Sequence, residues 1–348
     1  MKQLFFSLVA LMCATMSYAQ SSLIATLSHD GEISTFYGNS ALREAHAAAQ
    51  HGDIITLSSG SFTSVNITKS ITLRGAGMQV DTIAKTNPTI ITGNFNINIP
   101  DSLEQRLTME GLYFNNDITV SSLKNASFLK DRIKNIQVYG QNNCIMNNIT
   151  FIHCKISSFL NKYSNLSYKE DSNTASFVNC YIAFDLNDYN KCVVNSEFTN
   201  CYVRFPYTSG LSLLTFNNCI LYCPTGDNSE SYRCLPSNCV ANYCLAKCSR
   251  NDLFKNIPNN TSNSYLTTDL NTLFKTYTGN YTDEETFELT DEAKAKYLGS
   301  DGTEVGIHGG ALPFDPTPTN PQITKCNVAS KSTADGKLSV DIEVSAAE

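Results

Sequence analysis

The chain has 348 residues, only 16% of them charged, with a net charge of −7 and a pI near 5.3. An acidic balance of this kind excludes nucleic acid as the partner, because phosphate binding demands clustered Lys and Arg. Abundant Asn, Ser and Thr with no Trp predict many short strands joined by polar turns, not a helical bundle.

Lys2 is followed by an apolar run from Leu4 to Met16, and Ser17-Tyr18-Ala19 supplies a small-x-small cleavage signal. The run is too short to cross a bilayer, so residues 1–19 read as a secretory signal peptide. No later segment is long and apolar enough to span, so the expected product is secreted and not membrane-spanning. A strand-like stretch, Leu23 to Leu27, then leads through His29-Asp30-Gly31 to a helix predicted over residues 40–51. Ser40 serves as its N-cap, Leu42, Ala45 and Ala49 form its apolar face, and Gly52 stops it. From there the period drops to two. Ile55 and Leu57, Val65 and Ile67, and Ile71 and Leu73 are apolar pairs separated by turns, enough for one coil of a three-sided helix.

These residues carry a resemblance. Tyr37-Gly38, Ala41-Leu42, Ala48-Ala49, Gly52-Asp53, Ile55, Leu57, Gly60, Phe62, and Ile67 through Gly77 resemble the opening of pectin-lyase-like right-handed parallel β-helices. The resemblance implies an all-β solenoid over residues 20–312 with the early helix capping its open end. Parallel crossovers of this kind are right-handed. The stretch Gly302-Thr-Glu-Val-Gly306-Ile-His-Gly309-Gly310 resembles the ending of secreted β-helix proteins of Bacteroidetes-type bacteria. That likeness implies an extracellular, cell-surface or periplasmic location in a bacterium.

Further along, six phenylalanines open short cassettes: Phe114, Phe128, Phe151, Phe177, Phe198 and Phe216. Four share one form, as in Phe177-Val-Asn-Cys-Tyr-Ile182 and Phe198-Thr-Asn-Cys-Tyr-Val203. A repeat of roughly 20 residues with a period-two apolar core predicts stacked coils. About nine coils at the strand spacing of about 4.8 Å give a rod roughly 40 Å long.

Phase assigns roles within the cassette. Cys154, Cys180, Cys201 and Cys219 should point inward as a stack of small buried thiols. His153, Asn179, Asn200 and Asn218 should stack at one turn as a structural ladder of hydrogen-bonding groups. Cys234, Cys239, Cys244 and Cys248 are spaced differently, and disulfides are open to them; a zinc site is not expected, since no CxxC pair or neighbouring His appears.

Residues 313–321 carry four prolines and read as a semi-rigid linker. Beyond it, residues 322–348 predict a β-hairpin: Ile323 and Val328 on one strand, and Leu338, Val340, Ile342 and Val344 alternating on the other. A lone hairpin is marginal in water, so it should dock on the rod, extend a sheet or drive self-association.

The outward rows of the cassette give the candidate ligand-facing strip: Lys155, Tyr181, Tyr202, Arg204 and Tyr222. Tyrosine faces stack on sugar rings and cations hold carboxylates, although outward tyrosines also simply pack together. No catalytic residue is assigned. Asp185 and Asp188 near Lys191, and Glu170-Asp171, are the nearest carboxylates, and none converges in the register of adjacent coils. The expected function is therefore noncatalytic binding of a polysaccharide or cell-surface glycan, as an adhesin or scaffold, without a cofactor. The alternative implied by the resemblance is a polysaccharide lyase or glycoside hydrolase, with calcium needed only for the lyase.

Overall fold

The computed structural model describes residues 23–345 apart from 83–85, 101–105, 139–144, 162–173, 185–194, 206–212, 225–233, 249–251, 268, 278–281, 329–330 and 333–334. The signal-peptide stretch, and Asp185, Asp188, Lys191, Glu170 and Asp171, lie outside the described residues.

Short strands stack in parallel along three faces, which makes the molecule an all-β parallel β-helix. The first face descends from 54–57 through 72–74, 107–110, 126–129, 149–152, 175–178, 197–199 and 215–217 to 240–242 and 261–262. The second runs from 60–63 and 89–92 through 112–114, 132–133, 155–156, 181–184, 202–204 and 220–223 to 245–248 and 265–266. The third comprises 66–67, 95–98, 118–122, 135–138 and 159–161. One continuous strand, Leu112–Leu129, turns through all three.

Alternation sends one side chain of each pair into the bore. On the first face a single interior file descends through Ile55, Leu73, Met109, Phe128, Phe151, Phe177, Phe198 and Phe216 to Ala241. Neighbouring rings in its phenylalanine section stack with centroids 4.6–5.0 Å apart. Phe114 does not belong to that file. It lies only 14 positions before Phe128, less than a full coil, so it falls on the second face and meets Phe95 edge-on at 5.0 Å.

The corner from first to second face is tight, and it selects residues that tolerate the left-handed region. His153, Asn179, Asn200 and Asn218 occupy it with φ between 49° and 56°, and Lys130 and Asn263 take equivalent places at φ 56° and 46°. The next residue points inward: Asp131, Cys154, Cys180, Cys201, Cys219, Cys244 and Ser264 form one column. Its small polar atoms satisfy corner groups that the strand ladders leave open. The Cys180 sulfur accepts from the Cys154 amide at 3.3 Å, Asp131 Oδ1 from Leu112 N at 2.8 Å, and Ser264 Oγ from Cys244 N at 3.0 Å. Each thiol in turn faces a carbonyl of the rung above, as Cys201 does with Phe177. All four cassette cysteines are buried and free, as are Cys239 and Cys244, so the latter two form no disulfide; Cys234 is buried, and the Cys248 side chain lies outside the described residues. Burial pushes the Cys154, Cys201 and Cys244 thiols well up.

The N-terminal end is closed in two ways. Strand β1 (Ile24–His29) pairs antiparallel with both β2 (Glu32–Tyr37) and 54–57, covering the first rung's free edge. Helix α1 (Ala41–Ala48) buries Ala41, Leu42 and Ala45 over the bore. It ends three residues short of the predicted stop. Lys69 Nζ donates to the carbonyls of His46, Ala47 and Ala49, and Asp53 Oδ2 takes the Gln50 amide at 2.6 Å, so the chain leaves the helix at Ala49.

After the last coil the chain turns back and climbs the rod. Residues 270–277 and 282–298 spread over the outside of the second face, with a short helix α2 (Asp291–Lys296) capped by Thr290. Residues 299–320 then follow the first-to-second corner upward until Asn320 Nδ2 reaches the Gly75 carbonyl at 2.9 Å. The terminal hairpin, Gln322–Val328 with Val340–Ser345, pairs antiparallel, Val328 opposite Val340. Leu338, Val340, Ile342 and Val344 on it are about half exposed.

Candidate functional site

Register brings the residues of the tyrosine strip side by side. Lys155, Tyr181, Tyr202 and Ile220 share one outward row, and Ala183, Arg204 and Tyr222 the next. At Lys155, Tyr181 and Tyr202 the strip nevertheless offers no open face to a ligand, while Arg204 and Tyr222 are half-buried. Tyr181 and Tyr202 are 2% and 0% exposed, and Lys155 is buried as well. The returning segment roofs them: Phe287 stacks on Tyr202 at 4.1 Å and on Tyr181 at 5.1 Å, and Phe274, Leu289 and Ala293 complete a second hydrophobic core. Arg132 ties the roof down through Asp283, Nε to Oδ2 at 2.7 Å. Burial raises the Tyr181 and Tyr222 phenols and lowers the Lys155 amine, so the row is set up for packing. The physical reason lies in the row itself. It continues into Ile220 and Leu245, and an open strip of two tyrosines and two aliphatics would leave a large apolar patch in water.

The turn ladder is also structural, and its hydrogen bonds go to the climbing segment. Asn179 Nδ2 donates to the carbonyls of Ile307 and Gly309 at 2.8 and 2.7 Å. Asn218 Oδ1 accepts from Ser300 N at 2.9 Å, and its carbonyl from Gly306 N at 2.8 Å. His153 accepts the Asp315 amide on Nδ1 at 3.3 Å and faces the Leu312 carbonyl with Nε2 at 3.1 Å, which fits the Nε2–H tautomer. Lys130 Nζ reaches Asp315 Oδ2 at 3.0 Å, and Glu110 Oε1 takes the Thr319 amide at 2.7 Å. The glycines of the closing motif are the complement of this corner. A Cβ on Gly306 would sit 2.7 Å from Ile220 Cδ1, and one on Gly310 2.2 Å from Asn200 Nδ2. Residues 313–321, expected as a linker, are thereby fastened along the rod.

Among the described residues, the first face is open around Thr108, Ser127 and Thr150, and so is the third face. On its outside Asn66, Asn96, Thr119 and Gln137 lie in register on four successive rungs. They sit in a shallow groove of about 490 Å³ whose lining also includes Asn98 and Asp117 and is made of polar residue types. The strands that build it alternate strictly. Phe95 and Ile97, Ile118 and Val120, and Ile136 fill the bore, which aims their neighbours into solvent. Cross-rung bonds set the polar groups. Asn96 Nδ2 donates to Asn66 Oδ1 at 2.8 Å, Asn135 Nδ2 to Asp117 Oδ1 at 2.6 Å, and Gln137 Nε2 to Asp117 Oδ2. The sequence reading did not pick out this face. Its signal was present in Phe95-Asn-Ile-Asn98 and Ile118-Thr-Val120, where amides and hydroxyls alternate with apolar residues.

No protein-family model, curated protein or solved structure matches this chain. Among the described residues, no three His, Cys, Asp or Glu side chains gather as a metal site would require, and no helix is long and apolar enough to cross a membrane.

Proposed function

We propose that the chain is an exported, noncatalytic glycan-binding rod that acts at a bacterial cell surface or outside the cell. The observation that carries this reading is the third-face groove, where side-chain amides and hydroxyls stand in register at the spacing of the rungs. Rigid strands hold such groups in place, so binding a polyhydroxylated chain costs little ordering of the protein. Retention on immobilised polysaccharides tests it, comparing the intact protein with an Asn96→Ala plus Gln137→Ala variant. Lost retention with unchanged circular dichroism supports the groove, and retention that survives both changes rejects it. Shortening of any polymer during the same incubation would instead favour the alternative, a polysaccharide lyase or glycoside hydrolase.

Self-association through residues 322–348 is a second part of the proposal, supported by the half-exposed Val340, Ile342 and Val344. Sedimentation of Ile342→Lys against the intact chain decides it; an identical size counts against a role for the hairpin.

A further inference from the structure

We infer that the groove on the third face selects glycans bearing free amino groups and turns away acidic ones, an inference that rests on the glycan-binding reading above. The argument is one of donor and acceptor balance. Asp117 is acceptor-only when ionised, so the amides bonded to it must present their nitrogens to it. Asn135 and Gln137 both do so, one on each carboxylate oxygen. One N–H of each amide is thereby engaged, and both carbonyl oxygens stay open to other donors around the single carboxylate. Asn96 likewise directs its nitrogen at Asn66 and keeps its own carbonyl oxygen available. Among the described residues no lysine, arginine or histidine lines the groove, and one carboxylate does. The result is a surface rich in acceptors and negative in sign, complementary to hydroxyl and ammonium donors. A uronate carboxylate would meet acceptors and a like charge, with no cation to hold it.

Titration calorimetry with three probes tests this: fully deacetylated chito-oligosaccharide, its N-acetylated form and oligogalacturonate, at a pH where the free amines are charged. The expected order is deacetylated tightest, acetylated weaker, galacturonate undetectable. Asp117→Asn should weaken the deacetylated probe about two- to fivefold, the scale of one exposed ion pair, and change the acetylated probe by less than twofold. Asn98→Lys, on the exposed rim, adds a cation without touching the Asp117 bonds. It should weaken the deacetylated probe at least as much and raise galacturonate binding, so the test survives if Asp117→Asn misfolds. Equal binding of the two chito-oligosaccharides, a preference for galacturonate, or charge variants that leave the order unchanged would overturn the inference. If none of the three binds while another polysaccharide is retained on the groove, the amino-sugar assignment fails and the glycan reading stands. If no polysaccharide is retained at all, both fail.

Discussion

Replacing Asn179 with alanine should loosen the climbing segment far more than the same change at an asparagine of identical backbone conformation elsewhere. Asn179 is buried at φ 49°, and its amide holds two carbonyls, those of Ile307 and Gly309. Ile307 O keeps a second donor in Phe314 N, so the principal loss falls on Gly309 O. Two hydrogen bonds at about 1 kcal/mol each and a left-handed alanine at about 1 kcal/mol sum to about 3 kcal/mol. Asn148 supplies the control. It has φ 55°, is exposed, and makes one amide bond, to Asn125 Oδ1 at 2.8 Å. Asn148→Ala should cost roughly half as much, since water replaces the lost bond. Amide exchange over residues 299–315 measures the difference directly, at about tenfold faster opening for Asn179→Ala per 1.4 kcal/mol of excess. Asn179→Gly, which accepts positive φ, should recover part of the backbone share and none of the hydrogen-bond share. If the two alanine variants exchange alike, the corner asparagines are kept for their backbone shape alone, and the docking account is wrong.

Further outcomes follow from the same geometry. Phe177→Ala removes a ring stacked on both sides and should cost about 3–5 kcal/mol by denaturant titration, more than Phe128→Ala, which has one stacked partner in the file; equal costs would argue against the file as a cooperative unit. Tyr202→Ala should expose residues 270–298 to limited proteolysis and leave glycan retention on the third face intact, whereas lost retention would restore the strip as a site. His46 is held neutral, its pKa lowered to about 4 by burial and by Lys69, and its Nε2 faces the Thr68 amide. Because that folded value lies below the unfolded one near 6.5, the cap is fully stable above pH 6.5 and weakens as pH falls toward 4; His46→Gln should flatten this part of the pH–stability curve, measured by thermal melts. The stacked thiols should react with a thiol reagent only on unfolding, and rapid labelling of native Cys154 or Cys201 would contradict their burial.

The rod was legible from its cassettes because a coil has a fixed phase. Once Phe177, Asn179, Cys180 and Tyr181 are spaced as they are, their inward, corner and outward directions follow from period-two alternation. What stayed hidden was the layer added from afar. Tyr181 faces out of its own coil, and only the distant Phe287 decides that it is buried, a contact no local pattern encodes. The glycines at 306 and 310 read as a family-like ending, while their cause, close approach to Ile220 and Asn200, required the third dimension. The groove was missed for the opposite reason. Asn66, Asn96, Thr119 and Gln137 are unremarkable polar residues in any window of sequence and become a row only by stacking.

The returning tail also alters what kind of polymer this is. A plain pile of repeats is governed by nearest neighbours, so it can fray from either tip and mature from whichever part is made first. Here Thr319 meets Glu110 and Asn320 meets Gly75, pairs separated by 209 and 245 positions. A stretch made after every winding therefore locks windings made early. Until the preceding segment with Phe274, Phe287 and Leu289 folds back as well, Tyr181, Tyr202, Ile220 and Leu245 stand uncovered in water. A newly made chain thus carries a sticky flank and loses it only when the segment around Phe274 and Phe287 folds back over it.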